Sequence, residues 1–170
     1  MTISSPSDAA RQARGDELVQ LAAFRIGGEE YAIDIMRIKE IIHPLKITKV
    51  PKAPKFIEGV VELRGSILPV VDLRKRFELP NTDISRATKY IIVSLEKRLL
   101  GLVVDAVSEV LRVPRKDVKP APEFGFAGGA TASFFSGVCH LGERIIMILD
   151  LDEILTRQEK IDLGAMKEMA

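Results

Sequence analysis

The sequence predicts a mainly β chain made of two like halves, each able to close as a small barrel. Short runs rich in β-branched residues recur along it, and most of its nine prolines and twelve glycines fall between those runs. The chain also matches itself when one half is slid over the other. An all-β barrel or sandwich follows, with two barrels packed together as the expected architecture.

The elements can be taken in order. Leu18 to Ile26 and Tyr31 to Ile35 are apolar runs separated by Gly27-Gly28-Glu29-Glu30, which reads as a hairpin. Ile57 to Leu63 and Ile67 to Leu73 form a second pair of runs around Arg64-Gly65. Lys89 to Leu95 and Leu99 to Val104 flank the polar turn Glu96-Lys97-Arg98, another hairpin. Gly137 to Leu141 and Ile145 to Leu151 close the series. Ile35, Ile38, Ile41 and Ile42 crowd one stretch, and most of them are expected in the core.

The self-match explains this order. Tyr31 to Ile42 lies over Leu100 to Leu111 at an offset of 69, with Glu40 over Glu109. Phe56 to Leu63 lies over Phe134 to Leu141, and Ile67 to Leu73 over Ile145 to Leu151, at an offset of 78. The second copy therefore carries nine more residues, and the Gly/Ala-rich stretch Gly125 to Ser133 is the obvious place for them, as a mobile loop. Each copy supplies roughly five short strands, enough for one small barrel. The first barrel is expected over about residues 17–85 and the second over about 86–157.

Asp72 and Asp150 each follow a final strand and precede an apolar pattern, as an N-cap precedes a helix. Asp152 and Glu153 favour the positive helix end after Asp150, whereas Arg74, Lys75 and Arg76 do not after Asp72. A short C-terminal helix is therefore expected after Asp150, and little more than a turn after Asp72. Residues 1–16 are polar and lack the apolar region of a secretory signal, so they read as a disordered tail, and residues 158–170 as a C-terminal tail.

Composition excludes several classes of function. The 25 basic and 24 acidic residues nearly cancel, so the chain lacks the field that draws proteins to nucleic acid. No apolar run approaches the roughly 20 residues of a membrane span. Cys139 is the one cysteine, which rules out an internal disulfide or a cysteine metal cluster and fits a reducing, cytoplasmic compartment.

Candidate chemistry is sparse. His43 precedes a proline and His140 sits in an apolar strand, so a structural or surface role is expected for both and no metal site. Cys139 takes the place of Val61 in the other copy and reads as a small hydrophobe. Leu63-Arg64-Gly65-Ser66 lacks the lysine and the strand-to-helix context of a phosphate loop. Asp72 and Asp150 occupy equivalent places, where capping explains them better than paired acid chemistry. The lysines of Ile47 to Lys55 suit an acidic partner, although a solvated, proline-stiffened connection is the simpler account. No active site and no cofactor are expected, and protein binding is the remaining role. Arg64, in a tight turn between hydrophobic strands, is expected to be exposed and to offer its planar fork to a partner.

Five motifs together resemble one family: Glu30 to Ile35, Ile38 to Ile41, Gly59 to Gly65, Leu68 to Arg74 and Lys119 to Phe124 are similar to the CheW family of bacterial chemotaxis coupling proteins, over roughly Glu17 to Arg157. The resemblance implies two interlocked five-stranded barrels of the Src-homology-3 type. It implies a non-catalytic adaptor that joins transmembrane chemoreceptors to the chemotaxis histidine kinase, cytoplasmic and recruited to receptor arrays. Ile38, Glu40, Gly59 and Arg64 match positions linked to receptor contact, with the receptor's hairpin tip in the groove between barrels. The kinase's regulatory domain would dock barrel end to barrel end, and no kinase-contacting residue is assigned.

The chain has Glu62 where the family usually has asparagine, an acid placed to pair with Arg64. Arg64 also faces Gly142 in the second copy, so the receptor determinant is expected in one half alone. The alternatives are coupling in a related pathway controlling pili or gliding, or a small ligand-binding β-barrel, which would need a pocket with convergent polar groups.

Overall fold

A computed structural model describes residues 16–79, 84–120, 134–155 and 159–160. The Gly/Ala-rich stretch expected to be mobile lies outside the described residues, as do nearly all of both tails. Eleven strands are present in the described residues: β1 (Leu18–Ile26), β2 (Glu29–Asp34), β3 (Ile38–Ile42), β4 (Ile57–Leu63), β5 (Ser66–Asp72), β6 (Lys89–Leu95), β7 (Arg98–Val104), β8 (Ala106–Pro114), β9 (Val118–Pro120), β10 (Phe135–Leu141) and β11 (Arg144–Leu149). The chain is mainly β, as expected.

The strands form two sheets, a six-stranded one in the order β8-β1-β2-β11-β10-β9 and a five-stranded one in the order β3-β6-β7-β5-β4. Each half of the sequence contributes to both. The hairpin β1–β2 leaves the first half to join β8 and β11, and the hairpin β6–β7 leaves the second half to join β3 and β5. Sheet membership therefore cuts across the 85/86 division, and this exchange is what interlocks the halves.

The two exchanges are the same exchange carried out twice. Ile38 pairs with Val93 and Val107 with Phe24, which are one pair related by the offset of 69. Val70 pairs with Gly101 in a parallel ladder, and Ile148 with Ala32 in its counterpart. Thr48 bridges Val60 as Lys119 pairs with Val138. That single bridge is the first half's version of β9, which accounts for six strands in one sheet and five in the other.

Burial follows from this topology. Val61, Leu68, Val70, Tyr90, Ile92 and Val103 pack inside the five-stranded sheet, and Leu21, Ala23, Ala32, Leu111, Cys139 and Ile146 inside the six-stranded one. A third, larger cluster fills the space between the sheets and includes Phe24, Tyr31, Ile33, Val71, Ile91, Val93, Leu102 and Phe135. Strands such as β6 are thus covered on both faces, which explains apolar runs without strict alternation. The space between the two sheets is filled by the chain's own core.

Two expectations need correction. Ile35, Ile38, Ile41 and Ile42 are not core: none is fully buried and Ile41 is 41% exposed, because Ile35 lies in a short 3-10 turn and the other three on β3, an edge strand. The helix expected directly after Asp150 is also displaced, whereas little more than a turn follows Asp72, as expected. Helix α1 (Leu73–Arg76) follows Asp72, whose carboxylate accepts from the Arg74 N–H. The basic first turn is tolerated because the Arg74 guanidinium folds back onto that same carboxylate instead of facing the helix end. After Asp150 the chain makes turns and bends over 151–155, with Asp150 accepting from the Asp152 N–H, and helical backbone returns at Glu159 and Lys160.

Candidate functional site

The turn Arg64-Gly65 joins β4 to β5 with Leu63 opposite Ser66, and both turn residues have positive φ, +51° and +80°. This is the two-residue hairpin geometry that matches strand twist, and it holds the Arg64 side chain out at the hairpin tip. The guanidinium meets the carboxylate of Glu40 on β3 in a two-point pair: Nη1 donates to Oε1 at 2.6 Å and Nη2 to Oε2 at 2.9 Å. Arg64 is 75% exposed and Glu40 24% exposed at the side chain. The fold thus brings two of the four candidate residues together, and Arg64 is as exposed as expected. Its partner is Glu40, however, and Glu62 points to solvent.

Ile38 begins the same edge strand and packs half-buried against the central cluster. Gly59 is buried at a bulge in β4 with φ +144°, and a Cβ there would run into the Thr48 carbonyl oxygen. Its role in the fold is to let the 43–56 connection lie against β4. Gly137, its counterpart, faces the Lys119 carbonyl in the same way, with 2.8 Å from a Cβ to that oxygen.

The expected one-sidedness of Arg64 is only partial. Glu109, the counterpart of Glu40, meets Arg144 at 2.8 Å, and Arg144 also donates to Glu30 at 2.8 Å. Each half keeps a glutamate on its edge strand and an arginine from a hairpin, but the arginines stand two places apart in the self-match. Val110, the counterpart of Ile41, is likewise exposed.

Charge pairs also mark the two crossings between sheets. Arg74 donates to Asp72 at 3.0 Å and to Asp105 at 3.4 Å, and Asp105 accepts from the Gly27 N–H at 2.8 Å. At the other crossing Arg37 donates to Asp152 at 3.0 Å and to the Ser94 carbonyl at 3.2 Å. Asp152 is the self-match counterpart of Arg74, and Arg37 lies over Ala106, one place from Asp105, so a similar joint recurs with the charges exchanged and a one-residue shift. Arg37 holds the Asp152 carboxyl below its ordinary pKa, chiefly by hydrogen bonding.

Sequence reasoning missed Arg76. Its guanidinium carbon lies 4.7 Å from the Phe56 ring centroid and 4.9 Å from that of Phe134, two phenylalanines that correspond in the self-match. Its Nη atoms donate to Glu159 at 2.9 and 3.0 Å. A signal was available: Arg76 lies over Ile154, a charge against a buried aliphatic.

His43 and His140 are both exposed, and Cys139 is buried, which pushes its thiol pKa up. Among the described residues, no group of three or more His, Cys, Asp or Glu side chains is placed to hold a metal. A concavity of 200 Å³ lies between Asp34, Arg37, Ser136, Leu149, Asp150 and Leu151, and a larger one of 520 Å³, lined by Lys55, Lys75, Glu78 and Leu79, is widely open to solvent and not an enclosed pocket. No described helix is long and apolar enough to cross a membrane.

Residues 20–159 match the model of the CheW-like domain. The chain belongs to the CheW-like domain family. It is 36% identical to the chemotaxis protein CheW of Klebsiella aerogenes, covering 80% of this chain and 81% of that one. It is 32% identical to the chemotaxis protein CheW of Helicobacter pylori, over 89% and 90% of the two chains. Protein FrzA of Myxococcus xanthus is 28% identical over 86% and 89%. The crystal structure of the scaffolding protein TtCheW from Thermoanaerobacter tengcongensis superposes with a TM-score of 0.76 at 32% identity, covering 84% of this chain and 90% of that one. CheW-like proteins are non-catalytic scaffolds of chemotaxis signalling, and this chain is a scaffold and not an enzyme.

Proposed function

We propose that the chain couples transmembrane chemoreceptors to a chemotaxis histidine kinase, binding the cytoplasmic receptor tip and the kinase's regulatory domain in membrane-associated arrays. The observation that carries this reading is the match of nearly the whole described chain to the CheW-like domain and to relatives named chemotaxis protein CheW.

In this reading the receptor is met by Ile38, Glu40 and Arg64, with Gly59 setting the backbone beneath them. The Glu40–Arg64 pair supports it physically. An exposed two-point pair contributes only about 0.2–1 kcal/mol to folding, so it can be opened or shared with a partner at little cost to the scaffold. Strands β3 and β4, the two edges of the five-stranded sheet, present this pair together. The kinase would use a different surface, so both partners can be held at once.

The test is retention of the intact chain on immobilised receptor tip and on the kinase regulatory domain. Retention on both at micromolar concentration supports coupling, and retention on neither overturns it. The similarity to Protein FrzA favours a second reading, the same coupling in a related pathway such as one controlling pili or gliding. Exchanging the receptor and kinase for those of that pathway in the same assay separates the two.

A further inference from the structure

The connection between β3 and β4 carries Lys46, Lys49, Lys52 and Lys55, one lysine at every third position, and all four are exposed. The aliphatic residues beside and between them face inward: Leu45 and Ile47 pack on the core of the five-stranded sheet, and Val50 and Ala53 on the central cluster, while Thr48 and Pro51 are exposed. The segment is also pinned along its length. Thr48 exchanges both backbone hydrogen bonds with Val60, at 2.9 and 2.8 Å, and the Ala53 and Ile57 N–H groups close turns onto the carbonyls of Val50 and Pro54. The lysine backbones are therefore ordered before any partner arrives, which lowers the entropic cost of binding.

Two further observations give this row a meaning beyond solvation. Lys52 has φ +63° behind Pro51, in the third position of the turn Val50-Pro51-Lys52-Ala53. Glycine or asparagine is usual there, and a lysine costs conformational energy that glycine would not. Among the described residues, none of the four lysines has an ion pair, although the neighbouring Glu58 is held by Lys75 and Glu40 by Arg64. In a chain of net charge +1, four unneutralised cations on one pinned segment are a local concentration of charge.

We propose that Lys46, Lys49, Lys52 and Lys55 form a docking edge for an acidic, carboxylate-bearing segment of a protein partner. A protein segment fits better than an anionic membrane. The aliphatic side chains of the connection are turned into the core and have nothing to insert into lipid. The row is also narrow, with acids close by: Glu78 lines an open concavity of 520 Å³ with Lys55, Lys75 and Leu79, and Glu62 is exposed on β4. The proposal does not depend on the coupling reading, because it requires only an acidic strip.

The test uses the intact chain, a labelled short peptide with glutamate at every third position, and the same peptide with glutamine, followed by fluorescence anisotropy at low and physiological salt. Binding of the glutamate peptide alone is expected, weakening with salt. The variant K46S/K49S/K52N/K55S should lose affinity about tenfold or more with an unchanged melting temperature, since asparagine suits the turn. A control variant replacing Lys39, Lys97, Arg112 and Lys119 by serine removes the same charge elsewhere and should lose much less. Equal loss in the two variants overturns the proposal. So does the absence of peptide binding, or sedimentation with phosphatidylglycerol vesicles through the four lysines without peptide binding.

Discussion

Replacing Arg74 by leucine leaves the carboxylate of Asp72, 2% exposed, without its guanidinium. Asp72 keeps the hydrogen bond from the backbone N–H of residue 74, and Asp105 keeps the one from Gly27. Leucine is a good helix former, so α1 loses nothing by propensity. Removing one partner of a buried pair costs about 3–5 kcal/mol. At this chain length 1 kcal/mol lowers the melting temperature by about 2–4 °C, so the drop should be about 6–20 °C. Arg37→Leu makes the same cut at the pseudo-equivalent crossing, where the side chains of Arg37 and Asp152 are 32% and 58% exposed. There the cost should be about 0.2–1 kcal/mol and the drop below about 4 °C. Adding Asp72→Asn to Arg74→Leu removes the stranded charge and should restore part of the loss. Thermal and urea unfolding followed by circular dichroism measure all three. Equal losses at the two crossings, or further loss on adding Asp72→Asn, would refute the claim that burial separates the joints.

Two other outcomes follow from the same geometry. Asp152 has its pKa lowered in the folded state, so its contribution is complete above the unfolded value of about 3.9 and is lost as pH falls through the lower folded value. Asp152→Asn should therefore cost about 0.2–1 kcal/mol at neutral pH and nothing near pH 2, read from urea midpoints; a cost that grows toward acid pH would contradict the pair. Gly59→Ala should cost roughly 1–3 kcal/mol for its backbone conformation alone, plus displacement of Thr48. Gly137→Ala should cost less, having the close contact without the positive φ, and a ranking in the opposite order from thermal melts would contradict this account of β4.

What the sequence made legible was local or repeated. The hairpins were readable because turn residues and β-branched runs are short-range signals, and the duplication because Phe56 to Leu73 and Phe134 to Leu151 keep one spacing. The exchange of hairpins between halves was not readable, since a pattern of strands says which face is apolar but not which strand lies alongside. The isoleucines of β3 misled for that reason: composition suggested core, while position at a sheet edge left them half-covered. Arg64 was readable as exposed because a two-residue turn dictates it. Its partner Glu40 lies 24 residues away, and only the tertiary closure of β3 toward the β4–β5 tip chooses it over Glu62. The single helical turn after Asp72 was legible from its basic residues, but the Asp72–Arg74 pair that makes them tolerable there was not.

The most direct measurement of the central claim is kinase autophosphorylation with receptor-containing membranes, with and without the chain. The account predicts that adding the chain brings kinase activity under receptor control, and that Arg64→Asn, which suits the left-handed turn but removes the guanidinium, abolishes that control while the melting temperature shifts by less than about 4 °C. Kinase activity indifferent to the chain would contradict it.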